Sequence, residues 1–161
     1  MSDLWNSTVR FLAREALLLD NKDWDHWLGL YDANAEYWVP AWTDGGELTD
    51  DPKRQVSLIY YGNRSGLEDR VYRLRSGKSA ASNLEVRTSH QSQLLEVNED
   101  GGLIKARSNW TTHALINNEV AVFFGWAEYV LRSVDDSCLI LHKKTALLND
   151  RPDTVLDFYM I

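Results

Sequence analysis

A single cysteine, Cys138, stands in 161 residues. No internal disulfide can form, which excludes the disulfide-stapled scaffolds of small secreted domains and fits a reducing compartment. A Rieske cluster carried by this chain alone is excluded too, because it needs two cysteines and two histidines. Basic charge is scarce: 17 Lys and Arg stand against 24 Asp and Glu, a formal net charge of -7. That balance argues against a nucleic-acid surface, which shows a basic patch. Long apolar runs are missing; the longest, residues 120–127, falls far short of the ~20 residues of a membrane span. The N-terminus has no cationic-then-apolar signal pattern, and no repeat or low-complexity stretch is visible. One cytoplasmic domain over residues 1–161 is the expectation.

Aromatics are plentiful, with seven Trp and seven Tyr. They imply an aromatic core or broad interfaces, since both side chains suit buried places where one polar atom still finds a partner. Trp5, Val9, Leu12, Ala16 and Leu19 recur at helical spacing and predict an amphipathic first helix, broken at Asp20-Asn21-Lys22. Trp24, Trp27, Leu28 and Tyr31 predict a short second helix weakened by Gly29. A strand at Glu36-Tyr37-Trp38-Val39 stops at Pro40. Residues 41–54 read as a long acidic loop, and such loops are usually functional or reach outside the domain.

The segment 51–78 carries an apolar strand (Val56, Leu58, Ile59, Tyr60, Tyr61), a turn at residues 62–66, and a helix from Leu67 to Arg75 with an acidic first and a basic last turn. Residues 76–83 form a polar connector. From Leu84 the period becomes two: Leu84, Val86, Thr88, His90, Ser92 and Leu94 share one strand face, and Ile104 to Ile116 alternate likewise. Asn117-Asn118 suits a tight hairpin turn, and strands follow at residues 120–132 and 139–147. Helices first and a long antiparallel meander after them predict an α+β fold with helices on one face of a sheet that curls into a cone.

Chemistry is harder to find. Iron bound by two His and a carboxylate would have to use His26 with Asp25 and one of His90, His113 or His142, none at a metal-motif spacing. A cone enzyme would need a buried carboxylate beside a histidine; Glu36 and Asp32 with His90 or His113 are the candidates, while Trp110, Phe123, Phe124 and Trp126 compete to fill the same space. The apolar tail, residues 155–161, packs on the domain's own sheet or enters a partner. The cluster Arg64, Arg70, Arg73, Arg75 and Lys78 reads as a solvated or ion-paired helix face.

Several stretches together resemble one family. They are Phe11-Leu12-Ala13-Arg14-Glu15, Trp24-Asp25-His26-Trp27, Tyr37-Trp38-Val39-Pro40-Ala41-Trp42, Glu47-Leu48-Thr49-Asp50-Asp51-Pro52, Ser57-Leu58-Ile59-Tyr60-Tyr61-Gly62-Asn63-Arg64, Arg87-Thr88-Ser89-His90 and Leu147-Leu148-Asn149-Asp150. Nearly the whole chain is similar to the small (β) subunit of aromatic-ring-hydroxylating dioxygenases, in the benzoate, anthranilate and 2-halobenzoate branch. The resemblance implies the cystatin-like cone shared with scytalone dehydratase and ketosteroid isomerase. It implies a mainly structural subunit in a hexamer of three large and three small chains, the small ones associating as a trimer. The Rieske [2Fe-2S] cluster and mononuclear Fe(II) would lie in the large subunit, fed from NADH through a reductase, and no catalytic, cofactor or metal residue would lie here. The product would be a cis-dihydrodiol or a catechol. Trp38, Trp42, Tyr60, Tyr61, Arg64, Arg70 and Arg73 are the expected subunit-contact residues. A stand-alone cone dehydratase or isomerase, or a small-ligand-binding protein, is the alternative.

Overall fold

A computed structural model describes residues 2–77, 86–149 and 156–161. The expected connector at residues 76–83 and strand start at Leu84 lie mostly outside the described residues, as do Lys78 and Val155. Helix α1 spans Asp3–Asp20 and is capped by Ser2, whose hydroxyl accepts the Trp5 N–H at 3.3 Å. Its buried stripe is Thr8, Phe11, Leu12, Glu15, Leu18 and Leu19. That stripe is rotated from the predicted one: Val9 is 41% exposed, and a glutamate takes a central core position. The break after Asp20 is real, with Lys22 in the left-handed region (φ 55). Helix α2 is a single turn, Trp24–Leu28, capped by Asp23. Tyr31 does not end this helix as expected; it opens strand β1, Tyr31–Pro40.

Strand β2 is Ser57–Tyr61 and helix α3 is Arg64–Arg75. Strands β3 (Arg87–Asp100), β4 (Leu103–Ile116), β5 (Glu119–Val134) and β6 (Ser137–Leu147) form the antiparallel meander. One six-stranded sheet results, in the order β2-β1-β6-β5-β4-β3. The meander reading omits one feature: β1 closes onto β6 in parallel. Asn117 and Asn118 adopt φ of 52° and 64°, the twisted two-residue turn that matches strand twist. Strands this long twist and curl, with a bulge between Leu94 and Glu96 bending β3. Helix α1 lies against β3, so the concave face is lined by Ile104, Ala106, Ser108, Trp110, Thr112, Ala114 and Ile116 of β4, all buried.

Helix α3 begins earlier than predicted. Asn63 caps it, accepting the Ser65 N–H at 2.9 Å, so residues 64–66 are helix rather than turn. Its first turn therefore carries no acidic residue; Glu68 and Asp69 fall a turn later. Gly66 sits against the Tyr61 ring so closely that a Cβ there would overlap it. The tail packs inward: Asp157, Phe158, Tyr159, Met160 and Ile161 are all buried. Phe158 stacks on Trp27 at 4.6 Å between ring centroids and meets Trp24 edge-on at 5.3 Å. Arg70 of α3 holds Asp157 through its guanidinium, which fixes the tail beneath the helix.

Gly125 on β5 marks the tightest crossing. A side chain there would run into the Ala146 carbonyl and the Trp110 ring. Gly125→Ala is therefore expected to lose at least about 3 kcal/mol, the upper end of overpacking costs, because the obstacle is backbone. Gly46→Ala, with open space around it, should lose only the left-handed-backbone cost of roughly 1–2 kcal/mol. Urea unfolding midpoints of the two variants measure the difference.

Candidate functional sites: the cone interior and the outer sheet face

Glu15 lies at the centre of the interior. Its Oε1 accepts the Tyr129 hydroxyl at 2.8 Å and Lys143 Nζ at 3.1 Å. Its Oε2 accepts the Tyr31 hydroxyl at 2.8 Å and the Trp27 indole N–H at 3.3 Å. Burial alone would raise the Glu15 carboxyl. The Lys143 charge and the hydrogen bonds from Tyr31, Tyr129 and Lys143 outweigh it and hold the group below the ordinary carboxylate range. The phenols of Tyr31, Tyr37 and Tyr129 are pushed well above their ordinary value by burial and by the Glu15 charge, so they stay protonated as donors. Lys143 also sits over the rings of Tyr37 and Tyr129, at 5.7 and 5.3 Å from their centroids.

A second polar group joins α1 to β3. Asp20 accepts from His90 Nδ1 at 2.6 Å, from the His90 backbone N–H and from the Thr88 hydroxyl. Partial burial raises the Asp20 carboxyl, and the hydrogen bonds and charge from His90 with the Thr88 bond bring it below its ordinary value. This is the buried carboxylate–histidine pair that a cone enzyme would use, but with Asp20 in place of the expected Glu36 or Asp32. Asp32 instead pairs with Arg132 at 2.7 Å, Glu36 lies beside His142 at 3.4 Å, and His113 is exposed. The interior cavity that His90 and Glu15 line measures about 30 Å³, against roughly 300–1,000 Å³ for a ligand pocket. Trp110 and Phe123 fill the cone as expected; Phe124 and Trp126 point outward.

No group of three or more His, Cys, Asp or Glu converges on a metal site among the described residues. His26 pairs with Asp23 at 2.8 Å, and Asp25 with Arg75 at 2.9 Å, so both residues weighed as metal ligands are engaged in ion pairs of the surface.

The outer face of the sheet differs in character. Trp38 of β1 and Trp126 of β5 flank Lys144 of β6, whose Nζ lies 4.8 and 5.7 Å from the two rings, and Arg107 covers Trp126 at 4.5 Å. Tyr60 is the cross-strand partner of Trp38, so these two predicted contact residues share the patch. Beyond Trp126 the face continues through Phe124, Val122 and Val120, exposed by 44%, 41% and 69%. Trp42 is half-buried and tied to the Leu147 carbonyl at 2.7 Å. Tyr61 turns inward toward Tyr37. Arg64 holds the Tyr31 carbonyl at 2.9 Å and pairs with Glu68. Arg70 is committed to the tail, so of the three predicted arginines only Arg73 is exposed. Glu15, Lys143, Asp20, Arg107 and Lys144 were not singled out from sequence as site residues, and Trp126, read as a cone filler, lies on the outer face. A glutamate between Leu12 and Leu19, on the apolar side of a helix, was the available signal for the first.

Residues 14–153 match the family described as ring hydroxylating beta subunit. The chain belongs to that family. It is 45% identical over 154 residues to the 2-halobenzoate 1,2-dioxygenase small subunit of Burkholderia cepacia, covering 95% of this chain and 93% of that one. It is 43% identical over 160 residues to the anthranilate 1,2-dioxygenase small subunit of Acinetobacter baylyi, covering 99% and 98%. Among solved structures, the β subunit of benzoate 1,2-dioxygenase from Burkholderia mallei superposes with a TM-score of 0.78 at 36% identity, over 100% of this chain and 99% of that one. A Novosphingobium aromaticivorans chain assigned to the scytalone dehydratases superposes with a TM-score of 0.68 at 11% identity, over 95% and 91%. That likeness shows the cone fold alone.

Two outcomes are expected from this β subunit's interior. Lys143→Met should destabilise by about 3–5 kcal/mol, the cost of leaving a buried charge unpaired. Glu15→Leu should cost at least about 1 kcal/mol more, since it also strands the donors of Trp27, Tyr31 and Tyr129; equal losses in urea titrations would refute the central role of Glu15. Acid dependence follows from the same group. Glu15 and Asp20 bind protons less tightly in the folded chain than in the unfolded one, whose ordinary values are 4.5 and 3.8. Their stabilisation is complete above those values and is lost as pH falls through the lower native ones. The thermal midpoint should hold from neutral pH down to about 5 and fall below about 4, with a smaller fall for Glu15→Gln.

Proposed function

We propose that this chain is the structural small subunit of a multicomponent Rieske non-haem iron dioxygenase that dihydroxylates a benzoate-type aromatic carboxylate. The relatives named above act on 2-halobenzoate, anthranilate and benzoate, which supports an aromatic acid as the substrate class. The Rieske cluster and catalytic iron belong in the large subunit, since the one cysteine of this chain cannot supply the ligands of such a cluster. Electrons arrive from NADH through a reductase. Three large and three small subunits assemble in the cytoplasm, and residues 1–161 act as one domain whose work is to hold the large subunits in register.

The observation that carries the assembly role is β5. Its residues alternate between core (Phe123, Ala127, Tyr129) and outer face (Val120, Val122, Phe124), yet both sets are apolar. A strand that is apolar on both sides is normally covered on both sides. Among the described residues only one side is covered, and an exposed apolar stretch of this kind marks a contact surface. Trp126, Tyr60, Phe124 and Val122 form its centre beside the buried Trp38, with Lys144 and Arg107 as the cationic component. Trp42, Tyr61 and Arg73 lie at its surroundings or on α3, whereas Arg64 and Arg70 stabilise the subunit internally. A stand-alone dehydratase or isomerase, or a small-ligand binder, finds no support in the cavity beside Glu15 and His90, which measures about 30 Å³.

Phe124→Glu, at a position already solvent-exposed in the lone chain, should leave its unfolding midpoint within about 0.5 kcal/mol. The same change should weaken assembly by at least about 2 kcal/mol, roughly thirtyfold. Co-expression with the large subunit, followed by mass determination of the complex and turnover of benzoate, tests this. A large subunit that assembles and turns over fully without this chain, or with Phe124→Glu at wild-type affinity, would overturn the reading.

A further inference from the structure

The cone interior contains polar atoms that the Glu15 cluster does not satisfy. Five buried side-chain atoms lack a hydrogen-bond partner among the described residues: Tyr37 Oη, His90 Nε2, Trp110 Nε1, Thr112 Oγ1 and Thr145 Oγ1. An unsatisfied buried polar atom costs about 1–3 kcal/mol. Three of the five, those of His90, Trp110 and Thr145, belong to residues that line the same cavity beside Glu15, Lys143, Tyr129 and Ile161. The cavity offers about 30 Å³ to water-sized spheres, and roughly 10–15 Å³ on that measure holds one water. Three residues from β3, β4 and β6 thus bring polar atoms to a space sized for one or two molecules of water.

We infer that this cavity is a built solvent site, in which an internal water bridges His90 Nε2, Trp110 Nε1 and Thr145 Oγ1. The stereochemistry selects the ligand. Asp20 accepts from Nδ1 of His90, so Nδ1 carries a ring proton and Nε2 is the ring atom left without a partner. Trp110 Nε1 is a donor only, and a threonine hydroxyl is both. The bridging group must therefore accept from the indole, pair with the imidazole Nε2 as donor or acceptor and exchange one bond with the hydroxyl. Water does all three, and three bonds is the usual complement of a buried water. An inorganic anion accepts only, and would face the Glu15 carboxylate that lines the same space. A cation would meet Lys143 in that lining and the indole N–H. The bridge connects Asp20 and His90 to β6 beside Lys143, so the two polar groups of the interior become one network spanning α1, β3, β4 and β6.

The test is a near-atomic-resolution crystal structure of the full chain, with nitrogen-15 NMR of its histidines. The expected result is one or two ordered waters within hydrogen-bond distance of the three atoms, and a proton on Nδ1 of His90. Thr145→Val removes one partner while keeping the side-chain shape, and should shift the His90 Nε2 resonance and weaken the water density. An empty cavity, or one that binds xenon under pressure, would show a dry void and overturn the inference. An anomalous peak at the cavity after a bromide soak would assign it to an anion and overturn it equally, as would an unmoved His90 resonance in Thr145→Val.

Discussion

The carboxylate of Glu15 is the constraint around which the subunit is arranged. It draws one donor from each of α2, β1, β5 and β6, through Trp27, Tyr31, Tyr129 and Lys143, while its own backbone belongs to α1. Five elements that are distant in sequence are therefore fixed by one side chain. A plain buried ion pair is weak support for stability, because desolvation of two charges consumes the Coulombic gain. Here the carboxylate has four donors, two on each oxygen, and the balance tips toward the charged form. The arrangement also specifies position: an apolar core tolerates sliding, but four converging donors have one registry.

With its interior so arranged, the cavity beside Glu15 and His90 has no room for a substrate. The tail completes the closure. Phe158 stacks on Trp27, whose indole is itself bound to Glu15, and Asp157 is held by Arg70. Helix α3, the tail, α2 and the central carboxylate thus form one continuous chain of contacts. The Asp20–His90 pair has the geometry of an acid–base device, but it joins the end of α1 to β3 and faces a space sized for water. A fold whose distant structural relatives include a chain assigned to the scytalone dehydratases here has its cavity converted to structure, which is consistent with chemistry located in another subunit.

Much of this was legible in the sequence because period and turn chemistry are local. The alternation from Ile104 to Ile116 placed every inward residue of β4 correctly, and Asn117-Asn118 marked its turn. What was illegible depended on tertiary partners. The rotation of the α1 stripe follows from Glu15, and a glutamate enters a core only when distant donors exist to receive it, which no window of local sequence reveals. Asp20 looked like a helix breaker and is one, but its carboxylate also serves His90, seventy positions later. Arg64 and Arg70 read as part of a solvated or ion-paired helix face, and they are paired; which groups hold them was illegible because a backbone carbonyl of β1 and an aspartate of the tail lie far away in the chain.

Strand β5 connects the two halves of this account. Its inward residues pack the cone, and Tyr129 reaches Glu15; its outward residues, with the cations Lys144 and Arg107 and the buried Trp38 beneath Lys144, make the outer aromatic face. Lys143 and Lys144 are adjacent on β6 and point to opposite sides, one toward the buried carboxylate and one between two tryptophans on the outside. Strand alternation therefore places the internal anchor and the outer patch a single residue apart. A register slip of one residue would exchange them, burying Lys144 away from its tryptophans and leaving Glu15 without its cation. The interior network thus does more than stabilise the monomer: by fixing strand register, it determines which face the subunit offers to its partners.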